Sequence, residues 1–141
     1  MASPAKWFKP ASIVILLWMA LGVMMLTMDL MTTAEQAAAL PEAQRLLRDE
    51  RPMWLMVVFG LATSLGLMGG VALVARKAAA QMLLMLSLLF VTIQFGYTIF
   101  GMQAISRVGA GHALGVPGFI FAMGAFSLWV AIKARNEGWV E

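Results

Sequence analysis

The chain has 141 residues, of which 62% are hydrophobic and only 12% are charged. Soluble globular domains carry about 25% charged residues, so water alone is not the expected surrounding of this chain. The net charge of +3 comes from basic residues that stand singly or in pairs at the ends of apolar runs. That pattern is typical of membrane flanks and not of nucleic-acid binding. The absence of cysteine excludes disulfides, thiolate nucleophiles and cysteine-ligated metals.

The first apolar run predicts a transmembrane helix over about residues 11–29, with Pro10 setting φ for its start. Signal peptides usually have an apolar region of about 7–15 residues. This run is longer, which favours a retained anchor over a cleaved leader. Asp29 ends the run, where its carboxylate can reach the lipid headgroups. We expect Asp29 to mark the membrane boundary or to pair with a basic residue at the same membrane face, such as Arg51 or Arg107.

Residues 32–51 form the only long polar stretch. Two overlapping capping-box spacings begin at Thr32 and Thr33, and Pro41 interrupts the segment. The pattern predicts a short helix, a break, and a second, amphipathic helix over about residues 41–49. This helix is expected either to cap the bundle as a lid or to serve as a connector on the bilayer surface. Its apolar face is formed by Ala43, Leu46 and Leu47, with Gln44, Arg45, Arg48 and Asp49 pointing elsewhere.

A second span is predicted over about residues 53–75 and contains small residues at four-residue spacing. These pairs are Gly60 with Ser64 and Gly66 with Gly70. Small residues four apart let helix backbones approach closely, and in lipid this contact drives helix association. We therefore expect the four residues to form a helix-packing or partner interface, within the same chain or with another subunit.

The third span, over about residues 80–105, carries the polar face of greatest functional interest. Gln94, Tyr97, Thr98 and Gly101 fall on one side of a helix with 3.6 residues per turn. Gln94 lies near mid-membrane and is expected either to hydrogen-bond to another helix or to line a cavity. In the second case Tyr97 would contribute a hydroxyl and an aromatic face to hold a small polar or amphipathic molecule.

Glycines and a proline predict a loop over residues 106–118, followed by a fourth span over about residues 117–133. His112 in that loop is expected to be a surface residue. Four spans place both termini on one side of the membrane, and the excess of basic residues on that side predicts cytoplasmic termini, with dual topology as the alternative. The basic residues are Lys6, Lys9, Arg76, Lys77, Lys133 and Arg135 on the terminal side and Arg45, Arg48, Arg51 and Arg107 on the other.

Catalysis and proton coupling are not expected. No predicted span carries a titratable group at its middle, as a proton-coupled carrier requires. A small multidrug exporter would carry a membrane-embedded glutamate in its first helix, where this chain has only apolar residues and glycine at 21–25. No cluster of His, Asp, Glu or Cys provides an enzyme's acid–base set, and no cofactor or metal site is predicted.

Several segments of the chain resemble a family of small bacterial inner-membrane proteins. They are LLWMALG and LTMDLM of the first helix, ERPMW before the second, IQFGYTIF in the third, and the NEGWVE ending. Members have about this length and four predicted helices, and are often labelled automatically as sugar transporters without a defined activity. The resemblance implies a site that includes Trp18, Asp29, Pro52, Trp54, Gln94 and Tyr97. Many relatives have an asparagine where this chain has Met19.

The sequence thus predicts an all-α membrane protein of one domain, residues 1–141, folded as an antiparallel bundle of four transmembrane helices. The expected function is that of a non-enzymatic accessory or scaffold subunit, which packs in the bilayer against other membrane-protein subunits or itself. The alternative is a facilitator of a small neutral solute. Because four helices leave little room for a pore, such a facilitator would be a homo-oligomer. A third class, a DoxX-like redox-associated protein, rests on architecture alone. The candidate polar patch or ligand site comprises Trp18, Asp29, Gln94, Tyr97 and Thr98.

Overall fold

The structure, a computed structural model, describes residues 3–103, 106 and 109–141, without the side chains of residues 110, 112 and 113. The described residues form six α-helices and one π-helical turn, with no strand among them. The helices are α1 (Phe8–Leu30), α2 (Ala34–Ala38), α3 (Glu42–Glu50), α4 (Met53–Val74), α5 (Ala79–Gly96), which continues into the π-helical turn Tyr97–Gly101, and α6 (Ala110–Asn136).

Four of these helices are long and apolar enough to cross a membrane, which confirms the predicted fold class. Their apolar segments contain 22 or 23 residues, with a mean hydropathy of 1.8 to 2.3. At 1.5 Å per residue such a helix is about 33 Å long, close to the thickness of the hydrocarbon layer. In the antiparallel bundle α4 packs between α1 and α5, and α6 packs on α5. The α1–α6 contact that closes the ring is the least extensive of the four.

Glycine brings α4 close to both of its neighbours. A Cβ atom at Gly69 would lie 2.7 Å from Cγ of Leu84 on α5, and one at Gly70 would lie 3.1 Å from Cα of Leu16 on α1. The first distance is shorter than real Cβ contacts and the second is tighter than most of them, so a Cβ at either position would displace its neighbour. Glycine thus permits these helix separations, and the gain is van der Waals contact between backbones.

The half of the bundle that carries both termini, here called the terminal half, is solidly packed. Its core includes Phe8 and Ile15 of α1, Leu73 of α4 and Val130 of α6, each at most 2% exposed. The C-terminal tail closes this end, because Trp139 is also buried in the core. We call the opposite half, which carries α2 and α3, the outer half.

Main-chain hydrogen bonds fasten the tail to the α4–α5 turn. The Glu141 amide donates to the Arg76 carbonyl oxygen at 3.0 Å, and the Ala78 amide donates to the Glu141 carbonyl oxygen at 2.6 Å. Nε of Arg76 donates to the Trp139 carbonyl oxygen at 2.9 Å. Arg76 itself has φ of 60°, an unusual conformation for a residue with a side chain, and the tail contacts hold it there.

The polar segment between α1 and α4 follows the predicted pattern of a short helix, a break and a second helix. Of the two capping-box spacings, the one starting at Thr33 forms. The Thr33 hydroxyl accepts from the Gln36 amide at 3.1 Å, and Oε1 of Gln36 accepts from the Thr33 amide at 3.0 Å. The hydroxyl of Thr32 instead donates to the Met28 carbonyl oxygen within the end of α1.

The fourth helix begins at Ala110, seven residues before the predicted start, so the predicted loop was wrong over residues 110–118. Gly109 has φ of 89° and precedes the helix, and Pro117 lies inside it. Glycine and proline end helices in water, but near lipid the backbone is better satisfied within a helix, which makes both residues tolerable there. His112 falls within α6, although its side chain lies outside the described residues.

The third span also departs from the prediction, because α5 changes at Gly96 into a π-helical turn that ends at Gly101. The Met102 amide donates to the Tyr97 carbonyl oxygen, five residues back, at 2.9 Å. The third span was predicted to end near residue 105, which lies outside the described residues. A π-helical turn has more residues per turn than an α-helix, so residues beyond this turn no longer follow the 3.6-residue spacing of α5.

Candidate functional site

The outer half of the bundle contains a partly open cavity of about 620 Å³. Small-molecule sites in proteins usually measure about 300–1,000 Å³ and are mostly apolar, with few polar groups. Side chains from α1, α3, α4, α5 and α6 form its wall, and most of them are aliphatic or aromatic. Leu84 belongs both to this wall and to the core of the terminal half. The packed core is therefore the floor of the cavity.

Gln94 places its amide group at the cavity wall. Within the described part of the chain the Gln94 side chain has no hydrogen-bond partner, so it does not join two helices as one of the two expectations held. Thr98 also lines the cavity, and its hydroxyl donates to the Gln94 carbonyl oxygen at 2.9 Å. The amide of Gln94 is thus the polar group on α5 that is available to a bound molecule.

Tyr97 does not join Gln94 and Thr98 at the cavity. Its ring packs edge-to-face on Trp54 of α4, with ring centroids 4.8 Å apart, and the residue is 37% exposed. The amide of Tyr97 still donates to the Ile93 and Gln94 carbonyl oxygens, so Tyr97 keeps its helical position and the separation comes from its packing toward α4. Together with Trp54, Tyr97 forms an aromatic pair at the outer rim of α4 and α5, where interfacial aromatic residues are common.

Trp18 lies in the cavity wall between α1 and α6. Its ring packs edge-to-face on Phe119, with centroids 5.2 Å apart. This aromatic pair bridges the least extensive helix contact of the bundle. This α1–α6 seam, the least extensive of the four contacts that form the ring, therefore runs along one side of the cavity.

An ion-pair cluster lies at the outer end of the cavity. Arg48 donates through Nη1 to Oδ1 of Asp29, and through Nη2 to its main-chain oxygen at 3.2 Å. Arg51 donates through Nη2 to Oδ2 of Asp29 at 3.1 Å. The expected pairing of Asp29 with Arg51 is therefore present, while Arg107 lies outside the described residues. Both arginines line the cavity, with side chains 24% exposed.

These ion pairs place α3 over the cavity as a cap. Leu40, Gln44 and Leu47 line the cavity together with the two arginines. The predicted faces of α3 were partly wrong, because Gln44 and Arg48 point inward with Leu47 while Leu46 is 43% exposed. Bonding of Arg48 to the end of α1 fixes the rotation of α3, and this constraint outweighs the apolar pattern of a nine-residue helix.

The small residues of α4 separate into an inner and an outer pair. A Cβ at Gly66 would lie 2.8 Å from Sδ of Met19, and Gly70 packs on α1, so both glycines serve contacts within the chain. A Cβ at Gly60 would meet nothing within 4 Å, and Ser64 is exposed. The surface of α4 that is open to another protein therefore carries Gly60 and Ser64.

Arg48 was not predicted as a wall residue, although it lies three positions before Arg51 in the segment that pairs with Asp29. Ser87 and Thr63 also line the wall. The Thr63 hydroxyl donates to the Phe59 carbonyl oxygen of its own helix at 3.0 Å, as is usual for threonine in a membrane helix. Ser87, which extends the polar stripe of the third span, donates to the Ala62 carbonyl oxygen on α4 at 2.7 Å, a partner that the sequence does not indicate.

The fold defines a class: a helical protein with four helices that can span a membrane and a cavity in one half of the bundle. No family model matches the chain, and no characterised protein or solved structure matches it either.

Proposed function

We propose that the chain is a non-enzymatic integral membrane protein that binds a small amphipathic molecule in the cavity of its outer half. The observation that carries this proposal is the partnerless amide of Gln94 in the wall of an otherwise mostly apolar cavity of about 620 Å³. None of the buried side-chain N or O atoms in the described residues lacks a partner, so this amide is accessible from the cavity, where it can hydrogen-bond to a polar group of a bound molecule.

The distribution of polar groups favours an amphipathic ligand over a simple sugar. Guanidinium and amide groups of Arg48, Arg51 and Gln44 lie at the outer end, whereas the floor is formed by Leu84 and its neighbours. Such a gradient matches a molecule with one polar end and an apolar body. A single chain thus has room for a ligand without forming an oligomer.

The closed floor favours binding from one side over conduction. Ile15, Leu73 and Val130 are fully buried in the terminal half. A transported solute would have to open this packed core. With cytoplasmic termini, as the basic residues predict, the cavity belongs to the external half of a bacterial inner-membrane protein. The resemblance to a transporter-labelled family is compatible with this reading, which needs ligand binding but no pathway across the membrane.

The test compares two tryptophan substitutions on α5. Val91 lines the cavity, whereas Leu89, two residues away, is 53% exposed on the outer surface. Val91→Trp should fill the cavity and lower the binding of a pyrene-labelled single-chain amphiphile at least tenfold, while Leu89→Trp should bind like the wild type. The two variants should unfold at similar temperatures. Equal binding by Val91→Trp and the wild type would contradict the proposal.

A second candidate function, an accessory or scaffold subunit, is favoured by the outer surface of α4. Gly60 has open space around it, and Ser64 is exposed. Val57 and Leu61 on the same helix are exposed as well. A small-residue surface of this kind suits close packing of a second transmembrane helix, from another subunit or from a second copy. Ligand binding inside the bundle and helix packing outside it are compatible.

The accessory function is tested by the double substitution Gly60→Leu with Ser64→Leu. The mass of the protein in mild detergent, measured by light scattering after size-exclusion chromatography, should fall to that of a single chain if this surface holds a partner. Met82→Leu on the exposed side of α5 is the control and should leave the mass unchanged. A wild-type protein that is already monomeric and free of other proteins would exclude this role.

A further inference from the structure

We infer that the bound molecule is a single-chain amphiphile with an anionic headgroup, which Arg48 and Arg51 bind at the mouth of the cavity. This inference rests on the proposed function and adds the chemical class of the ligand. Both guanidinium groups belong to the cavity wall, and the acidic residues of α3, which are Glu42, Asp49 and Glu50, do not. The charge that faces the interior at this end is therefore positive.

The charge count of the cluster leaves room for an anion. Asp29 supplies one negative charge for the two guanidinium groups that it binds. The carboxylate and the two guanidinium groups are largely shielded from solvent, with side chains 19% to 24% exposed. Partly buried charges are stable only when they are compensated, and one arginine would already have matched the carboxylate. The second arginine gives the mouth a positive charge that a ligand headgroup can neutralise.

Hydrogen-bonding capacity agrees with the charge. A guanidinium group has five N–H donors in a planar fork, which suits carboxylate and phosphate oxygens. Arg51 donates one hydrogen bond to Asp29, through Nη2. Arg48 donates two to the same residue, through Nη1 and Nη2. N–H groups of both side chains remain for a second acceptor.

The cavity is long enough for an apolar chain. Its wall runs along α5 from Leu84 to Thr98, which is about 21 Å at 1.5 Å per residue. An extended alkyl or isoprenoid chain can lie along this wall, with its polar end at the mouth. The α1–α6 seam, where Trp18 meets Phe119, is the side from which such a chain can enter out of the bilayer.

A headgroup series on the unchanged protein tests the inference. The protein is placed in nanodiscs of phosphatidylcholine, and its binding of dodecyl phosphate, dodecanoate, dodecanol and dodecylamine is measured by calorimetry. These compounds share one chain and differ in charge. We expect both anions to bind at least tenfold more tightly than the alcohol, and the amine to bind most weakly. The order of the two anions shows whether the headgroup is a phosphate or a carboxylate.

Substitutions then assign the effect to the arginines. Arg51→Gln should bring the anions to within about threefold of the alcohol, whereas Arg51→Lys should retain most of the preference because it keeps the charge. Arg45→Gln is the matched control, since Arg45 is on α3 but does not line the cavity. Inorganic phosphate at the same concentration should not displace dodecyl phosphate, because most of the binding surface is apolar.

The outcomes separate the inference from the proposed function. If the alcohol and amine bind as tightly as the anions, and all are lost in Val91→Trp, the anionic headgroup is wrong and the cavity function stands. If no member of the series binds, the proposed function itself is wrong. Displacement by inorganic phosphate would overturn the single-chain part of the inference. An unchanged anion preference in Arg51→Gln and Arg48→Gln would overturn the role of the guanidinium groups.

Discussion

Ser87 on α5 donates a hydrogen bond from its Oγ to the main-chain carbonyl oxygen of Ala62 on α4, at 2.7 Å. Both residues lie in the cavity wall, and both are buried, at 5% and 3% exposed. A carbonyl group within a helix rarely accepts a bond from another helix unless the two backbones are close, as the glycines of α4 allow here. The contact therefore fixes the separation of α4 and α5 beside the cavity floor.

Removing this hydroxyl should weaken the bundle by a modest amount. Hydrogen bonds between membrane helices contribute about 0.6–2 kcal/mol, so Ser87→Ala should lower the free energy of unfolding by about 1 kcal/mol. Thr92→Ala is the control on the same helix, because Thr92 donates only to the carbonyl oxygen of Leu88 in its own helix. Unfolding in mixed micelles with a denaturing detergent measures the difference, and equal losses for the two variants would contradict the helix-joining role.

Adding one methyl group at Gly69 should be more harmful than removing the Ser87 hydroxyl. The new Cβ would lie 2.7 Å from Cγ of Leu84, which is not the flexible end of that side chain, and 3.3 Å from its amide nitrogen. Overpacking of this kind costs about 1–3 kcal/mol. Gly60→Ala, with open space around the new atom, should be neutral or slightly stabilising, because alanine favours helix. A Gly69→Ala protein as stable as the wild type would show that α4 and α5 can separate freely.

Asp29→Asn should loosen α3 from the cavity mouth, because both arginines lose their ionic partner. The chain has no cysteine, so a single introduced thiol can report on this change. Leu47→Cys, on the inner side of α3, should react with a maleimide several-fold faster when combined with Asp29→Asn. Leu46→Cys, on the exposed side of α3, should react at the same rate with and without the Asp29→Asn substitution. Equal rates at Leu47→Cys would show that the ion pairs do not hold the cap closed.

The cysteine-free chain also permits a direct test of the orientation. Ser3→Cys reports on the terminal side and Glu42→Cys on the opposite side, and both positions are exposed. In intact bacterial spheroplasts a membrane-impermeant maleimide should label Glu42→Cys and leave Ser3→Cys unlabelled. Labelling of Ser3→Cys alone would reverse the topology, and labelling of both in comparable fractions would show dual insertion.

The four spanning helices could be predicted because each depends on a long apolar run, and the lack of water near lipid makes a helix the only way to satisfy its backbone. Two details could not be predicted by the same argument. Pro117 and the glycines around it look like a loop unless the surroundings are known. The π-helical turn after Gly96 depends on local hydrogen bonding, and the packing of Tyr97 on Trp54 of α4, away from the cavity, depends on how the two helices are placed.

The cavity likewise has no direct signal in the sequence. Gln94 is polar whether it joins helices or lines a space, and only the positions of the neighbouring helices distinguish the two. Asp29 at a helix end indicated an ion pair, and the two arginines of the segment after it were visible. That the side chains of both arginines point into the cavity was not predictable. The apolar residues of α3 indicate that a different face of this helix is buried from the one that the ion pairs with Asp29 turn inward.

The most direct measurement of the central claim is photo-crosslinking with a single-chain amphiphile that carries a diazirine near the end of its chain, followed by peptide mapping. The account predicts that labelling concentrates on wall residues such as Val91, Phe95 and Ile120, and that excess unlabelled dodecyl phosphate suppresses it. Outward residues of the same helices, such as Leu89 and Phe121, should carry only weak labelling that excess ligand does not suppress. Equal, non-competable labelling of inward and outward residues would contradict a binding cavity.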